Sequence, residues 1–390
     1  MSGKHSAPRH TAPPAREPSR SAPTVREAPA EPGPRPAPNA PPASAEPRKK
    51  KKFPVWAGIL LALVLILILT VGAGALFVNA KMNKLSFAKN LPAAMTPAEV
   101  AAADEARRAS GEDGEEEDES ILVLPEDIEI RQAPAPIPQS AIKKDNHIIN
   151  VLFLGSDYPY DISDPGRADS VMLCSLNKKT GNISLVSFER AIGVSIPDRP
   201  DDWLTHSFHY GGAELTTNLI RNYFRLDLEG YVNVNFYDFI NVIDAVGGVD
   251  LPLTDAECAH VGVGYNYGEP VHLDGQHALN YCRLRSIDSD FARTHRQRNT
   301  ITAVIGKVRD MSLSEISDLL DTILPLVKTD LSKGQLAEML LAAPEFLHAE
   351  VQQMLVPDTD ELWCYMSSDG RPLYGVDFEE YSRRIQDFID

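Results

Sequence analysis

Cysteine is scarce in this chain. Its 390 residues include four, Cys174, Cys258, Cys282 and Cys364, no two of them close in sequence. That removes the short paired spacings of a thiolate metal site, and the four read as buried thiols in preference to a disulfide framework. Positive charge is short as well: 38 Lys and Arg stand against 55 Asp and Glu, for a formal net charge of -17. Nucleic-acid binding draws on a basic surface that displaces counterions from phosphates, so no nucleic-acid partner is expected. Aromatic residues are missing altogether from residues 1–52, which hold 13 of the 30 prolines. A segment so poor in apolar surface cannot offset the entropy of ordering and is expected to be a disordered arm. Long uncharged runs are missing too, with one exception.

That exception is "FPVWAGILLALVLILILTVGAGALFV", Phe53 to Val78, 26 residues without a charge. A helix needs about 20 to cross a bilayer core, so the run is expected to be a membrane span. A cleavable signal peptide is the alternative, but the run is about twice as long as a signal core and far from the N-terminus. The basic "RKKKK" (Arg48 to Lys52) on its N-terminal side places the arm in the cytoplasm and the rest of the chain outside. The expected plan is an arm over 1–52, a transmembrane helix over 53–79, an acidic and proline-bearing extracytoplasmic spacer over 80–146, and a domain over 147–390. It describes a single-pass protein of the cell membrane.

From His147 the pattern becomes that of a folded domain. "IINVLFLG" is a continuous apolar run of the kind buried on both faces of a sheet, and "SVMLCSL" and "NISLVSF" follow, joined by the turn "NKKTGN". A helix over 212–225, a strand "YVNVNF", a helix "YDFINVIDAV" stopped by Gly247-Gly248 and a strand "VDLPL" come next. The fold class is α/β, of the α+β sandwich kind: a central mixed sheet flanked by helices, preceded by one transmembrane helix.

If the first three strands pair as consecutive antiparallel neighbours, the end of the first, the start of the second and the end of the third share one sheet edge. The residues there are Asp157, Arg167, Asp169 and Arg190. "YCRLRSIDSDFARTHRQR", residues 281 to 298, adds five more arginines. As a strand, "YCRLRS" would turn Arg283 and Arg285 to one face. A helix from about Arg293 to Met311 would gather Arg293, Arg296, Gln297 and Thr300 on one face, with Arg298 elsewhere. Cations at a helix N-terminus oppose its dipole unless an anion binds there. Two readings fit. The arginines are forked donors for a diphosphate, with Asp157 and Asp169 holding Mg²⁺ or Mn²⁺, or they pair with Asp288, Asp290 and other acids in an ion-pair network.

Several motifs in order resemble the LytR-CpsA-Psr family of bacterial envelope proteins: "NVLFLGSD", "RADSVMLCSLN", "HYGGAEL", "VNVNFYDFINVIDAVGGVDL" and "LDGQHALNYCRLRSIDSDFARTHRQR". The resemblance runs from about His147 to the C-terminus and includes a later helical portion at "VKTDLSKGQLAEML". It implies a transferase that moves an anionic glycopolymer, of the teichoic acid kind, from a polyprenyl-diphosphate carrier to a peptidoglycan sugar hydroxyl. By matching motif, Asp157 and Asp169 are the metal-linked acids. Arg167, Arg190, Arg283, Arg285, Arg293 and Arg296 are the diphosphate ligands, with Gln297 nearby; Asp157, Asp169, Arg190, Arg283 and Arg285 are the expected catalytic group. One position departs: the family has an acid after the arginine of its third strand, and here "FERAI" has Ala191, with Glu189 a substitute by proximity alone. A lipid-diphosphate hydrolase, or a non-catalytic envelope regulator, are the alternatives. A spacer-raised site would have to cover the prenyl tail itself. An apolar pocket is therefore expected between sheet and helices, lined from "VNVNFYDFINVIDAV" and "ITAVIGKV" and opening beside Arg283 and Arg285.

Overall fold

The computed structural model describes residues 140–157, 166–346 and 348–390, with short pieces at 80–81, 83, 86–87, 128–134 and 138. The arm, the run 53–78 and most of the expected spacer lie outside the described residues, and among the described residues no helix is long and apolar enough to cross a membrane. Two short strands fall inside the segment read as spacer, β1 (Ser86–Phe87) and β2 (Glu129–Ile130). Both join sheets of the domain. Just before β1, Lys81 is buried and bonds Ser317 and Asp321.

Three strands follow, β3 (Ile148–Ser156), β4 (Ala168–Asn177) and β5 (Asn182–Phe188), paired as consecutive antiparallel neighbours as the sequence predicts. Gly181 takes the left-handed conformation in the turn between β4 and β5, with φ of 72°. A two-stranded ribbon of β6 (Gly193–Val194) and β7 (Asp202–Trp203) leads into helix α1 (His206–Tyr223). Gly211 and Gly212 interrupt α1, and Gly212, at φ 61°, sets the start of its regular part where the sequence places it. Strand β8 (Gly230–Asn235) pairs parallel with β3 and runs directly into α2 (Phe236–Ala245). Next come β9 (Val249–Leu251), α3 (Asp255–Val261), β10 (Val271–Leu273), α4 (Gly275–Arg283) and α5 (Asp290–Arg309). The chain continues through α6 (Leu313–Ile323), β11 (Lys328–Thr329), α7 (Lys333–Ala342) and β12 (Val351–Val356). It closes with β13 (Trp363–Met366), β14 (Pro372–Tyr374) and α8 (Phe378–Ile389).

The main sheet has the order β1-β11-β8-β3-β4-β5-β12 and mixes parallel with antiparallel pairs. Alternation along β3 explains its position near the centre. Leu152 and Leu154 enter a core with Phe208 and Ile220 of α1 and Phe378 and Ile385 of α8. Ile149, Val151 and Phe153 point the other way, toward α5 and α7. Helices on both faces of a mixed sheet are the sandwich that the sequence predicts.

One sequence expectation fails here. "YCRLRS" is not a strand: Tyr281, Cys282 and Arg283 are the last turn of α4, and Arg285 follows in the connection to α5. Asp274 caps α4 by accepting from the His277 amide, and the buried residues Ala278, Leu279, Tyr281 and Cys282 recur at helical spacing. The alternation at 282–285 is the end of that pattern, too short to declare its period.

Candidate functional site

Between the sheet and α2, α4 and α5 lies a cavity of about 720 Å³. Phe153 and Met172 of the sheet, Val232 and Val234 of β8, Phe236, Phe239, Val242 and Ile243 of α2, and Ile301 and Val304 of α5 give it apolar walls. Asp169, Arg283, Arg285, Arg293 and Gln297 belong to the same lining. Both segments that the sequence nominates contribute to the walls, and Arg283 and Arg285 share the lining with them. Local chemistry places the walls. Asn235 caps α2 by accepting from the Asp238 amide, and Gly275 at the start of α4 has no Cβ to strike the Ile240 carbonyl, so α4 lies directly on α2.

The carboxylates sit at the sheet edge. Asp157, buried at the end of β3, accepts from the Arg167 amide at 2.6 Å. The β3–β4 register then slips: Gly155 faces Ser170, whereas Ser156 faces Ala168, and Asp169 is the extra residue. A bulge of this kind re-aims a side chain, and here Asp169 reaches the cavity. Its Oδ1 is buried, accepts no hydrogen bond, and stands 3.9 Å from Arg285.

The arginines divide into three groups. Arg283 ends α4 with its guanidinium 4.8 Å from the centre of the Phe236 ring, on the cavity wall. Arg190, Arg285 and Arg293 converge on Asp290, at 3.3, 3.3 and 2.9 Å. Arg190 also lies over the Trp203 ring, outside the cavity lining. Burial works against Asp290 ionising, but Arg293, Arg190 and Arg285 outweigh it and hold the carboxyl below its usual range. Asp290 is the first residue of α5, behind the cap Ser289, so the anion that the helix start calls for is partly built in. Arg296 forms the third group. Its buried guanidinium bonds Glu257 at 2.7 Å, the Leu284 carbonyl at 2.8 Å and Asp288, and it takes no part in the cavity lining. The ion-pair reading therefore holds at Arg296 and around Asp290, while Arg283, Arg285 and Arg293 line the cavity. Arg298 does point elsewhere, toward Gln353 of β12. Gln297 donates to the Cys282 carbonyl at 3.5 Å from the cavity side.

Position 191 has a plain structural use. Ala191 is fully buried among Trp203, Tyr365, Leu373 and Tyr374, and its carbonyl accepts from the Tyr374 amide. A carboxylate there would stand in an aromatic cluster. Glu189, two residues earlier, is fully buried, and its Oε1 accepts from the Thr294 hydroxyl at 2.9 Å. Burial and the nearby Asp290 push its carboxyl up to about 8. Sequence reasoning met Asp290 as one acid among several and missed its place at the centre of three arginines. The available signal was its spacing, first in the helix and three residues before Arg293. All four cysteines are buried free thiols, as expected, and among the described residues no cluster of three or more His, Cys, Asp and Glu side chains is placed to hold a metal ion.

Comparison with known proteins bears on this geometry. The profile of the LytR_cpsA_psr family matches residues 112–384. The polyisoprenyl-teichoic acid–peptidoglycan teichoic acid transferase TagU of Bacillus anthracis is 33% identical over 229 residues, 57% of this chain and 74% of the relative. The protein of the same name from Oceanobacillus iheyensis is 33% identical over 207 residues, covering 50% of this chain and 63% of its own. Among solved structures, B. subtilis TagV shares the fold with a TM-score of 0.52 at 20% identity, over 63% of this chain and 99% of that one. TagT bound to LIIa-WTA does so with a TM-score of 0.52 at 23% identity, over 67% and 97%. With the matched span reaching from before β2 into α8, and so enclosing every wall of the cavity, the chain belongs to the LytR_cpsA_psr family.

Proposed function

We propose that the protein is a membrane-anchored phosphotransferase that moves an anionic glycopolymer from a polyprenyl-diphosphate carrier to a sugar hydroxyl of peptidoglycan. The observation that carries this reading is one cavity with two chemistries: apolar walls from β8, α2 and α5, and Asp169, Arg283, Arg285, Arg293 and Gln297 in the same lining. An apolar tail on a diphosphate head asks for that combination. Forked guanidiniums bind phosphate oxygens bidentately, which fixes the head as well as neutralising it. In the reaction, the acceptor hydroxyl oxygen bonds to the polymer-linked phosphorus, the bridging P–O bond breaks, and its electron pair leaves with polyprenyl phosphate. The acceptor proton is released and a phosphodiester remains. Charge develops on the bridging and leaving oxygens, so the arginines lower the barrier by being fixed beforehand. The relatives named as teichoic acid transferases support the polymer class.

Asp157 and Asp169 are the residues that would hold a divalent cation, Mg²⁺ or Mn²⁺. The buried Asp169 Oδ1, with no hydrogen-bond donor, suits a hard cation that prefers one or two carboxylates and substrate oxygens. When bound, such an ion supplies neutralisation of diphosphate charge.

The test uses the full chain in detergent, with prenyl diphosphates of increasing length competing for a fluorescent analogue. Each buried methylene contributes about 0.8 kcal/mol, so affinity should climb with length until the cavity is filled and then level off. Affinity that ignores chain length removes the lipid-carrier reading. Incubation with labelled lipid-linked polymer and peptidoglycan then separates transfer, in which label enters the wall, from hydrolysis, in which it is released.

A further inference from the structure

We infer that Glu189 is a positioning residue for the diphosphate site: in its protonated form it hydrogen-bonds Asp290 and so holds that carboxylate against Arg190, Arg285 and Arg293. The inference rests on the diphosphate reading above. The geometry comes first. Glu189 is fully buried at the end of β5 and its Oε1 takes the Thr294 hydroxyl of α5. The same Thr294 hydroxyl stands 3.5 Å from the Asp290 carbonyl oxygen, and the Asp290 carboxyl is the neighbour that acts on Glu189. Two ionised carboxylates are acceptors only, so a bond between them takes one proton. Without it, Oε2 of Glu189 and Oδ1 of Asp290 are both buried and receive no hydrogen bond.

The surroundings decide which carboxyl keeps the proton. Asp290 faces three guanidiniums. Glu189 faces Asp290, Arg293 and Arg298 from α5 and Tyr374 from β14, with Arg190 next in its own chain. Arg298 lies 3.2 Å from Gln353 through Nε, while its buried Nη1 has no hydrogen-bond partner. It does not donate to Glu189. The proton therefore stays on Glu189 and the charge on Asp290.

This division sets the charge of the site. With Glu189 neutral, Arg190, Arg285 and Arg293 outnumber Asp290 and Asp169, and the cluster attracts an anion. Ionised, Glu189 would cancel that surplus, repel Asp290 and loosen the carboxylate on which the arginines are registered. Asp290 fixes the arginines, and Glu189 fixes Asp290.

The experiment measures farnesyl diphosphate binding to the full chain from about pH 6 to about pH 9.5. Wild-type affinity should fall as pH rises through about 8, by about tenfold for each unit of pKa difference between the free and bound forms. Glu189→Gln keeps a neutral donor of the same shape, so it should bind within about threefold of wild type at neutral pH and lose the alkaline fall. Glu189→Leu removes the donor and should bind at least about tenfold more weakly at every pH. The ligand's own ionisation is common to all three proteins and drops out of their ratio. Parallel profiles for wild type and Glu189→Gln, or full affinity in Glu189→Leu, overturn the inference while leaving the diphosphate reading intact. Wild-type protein that binds no farnesyl diphosphate at any pH removes the diphosphate reading and the positioning role with it. Infrared titration of the wild-type protein guards against variants that fail to fold: a protonated carboxyl band should persist at neutral pH and vanish above about 8, and its absence at neutral pH overturns the inference.

Discussion

Arg283 and Arg296 carry the same guanidinium into opposite surroundings. Arg283 is exposed on the cavity wall above Phe236; Arg296 is buried between Glu257 and Asp288. Arg283→Ala should leave the thermal melt unchanged and weaken prenyl-diphosphate binding by about 1.5–3 kcal/mol, the usual worth of a hydrogen bond to a charged group. Arg296→Ala should do the reverse. It strands Glu257 without its cation, and breaking a buried pair from one side costs about 3–5 kcal/mol, visible as a lower melting temperature of the full chain. Position 191 belongs to the same scale. Ala191→Asp would bury a carboxylate among Leu373 and the rings of Trp203, Tyr365 and Tyr374, and the melt should fall with no gain in transfer. Glu189 leaves a mark on stability too. Its folded pKa is raised, so its contribution is whole below the ordinary glutamate range and is lost as pH rises toward about 8. Glu189→Gln should flatten that decline in melts taken across the interval. In the sequence, the arginines of the cavity were legible because they crowd one short segment. The role of Arg296 was not, since Glu257 comes from a helix distant in the chain.

Among the elements, the contact of α4 with α2 controls the cavity most directly. A Cβ on Gly275 would stand 2.3 Å from the Ile240 carbonyl oxygen, and only parting the two helices relieves it. Gly275→Ala is expected to destabilise by about 1–3 kcal/mol, the range for overpacking. It should also weaken long prenyl diphosphates more than short ones, because Phe239, Val242 and Ile243 move with α2 while Arg285 and Arg293 lie beyond α4. A melt and the same chain-length series test both parts. The main elements were readable for a simple reason. The strands from β3 to β5 are consecutive, continuous in apolar residues and closed by a glycine turn, so neighbours in sequence are neighbours in space. The slip of register at Gly155 was not readable. Nothing in "GSD" or "RADS" announces that Asp169 is the surplus residue, and it is that surplus which aims Asp169 into the cavity.

At the scale of the whole molecule, the segment read as a spacer begins with a fastening. Lys81 bonds Ser317 and Asp321 of α6, Lys333 of α7 donates to Asn83, and β1 lies along β11 at the sheet edge. With the uncharged run 53–78 inside the anchor proposed above, only three residue steps separate its last apolar residue, Val78, from Lys81. Fully extended, they reach about 11 Å. A domain so anchored would meet its carrier by search in a plane, with a rate set by surface density instead of bulk concentration. A flexible insertion of about 30 Gly and Ser residues between 78 and 81 would add an r.m.s. reach of about 30 Å. Turnover of a membrane-borne carrier in proteoliposomes should then drop, while binding of a short, freely soluble prenyl diphosphate stays the same. Equal turnover with and without the insertion would mean that the fastening does not govern the encounter. Under the proposed function, proximity of this kind would also tie the protein to its leaflet: polyprenyl phosphate released from the cavity would return to the membrane patch that supplied it, and would compete there with the next loaded carrier before diffusing away.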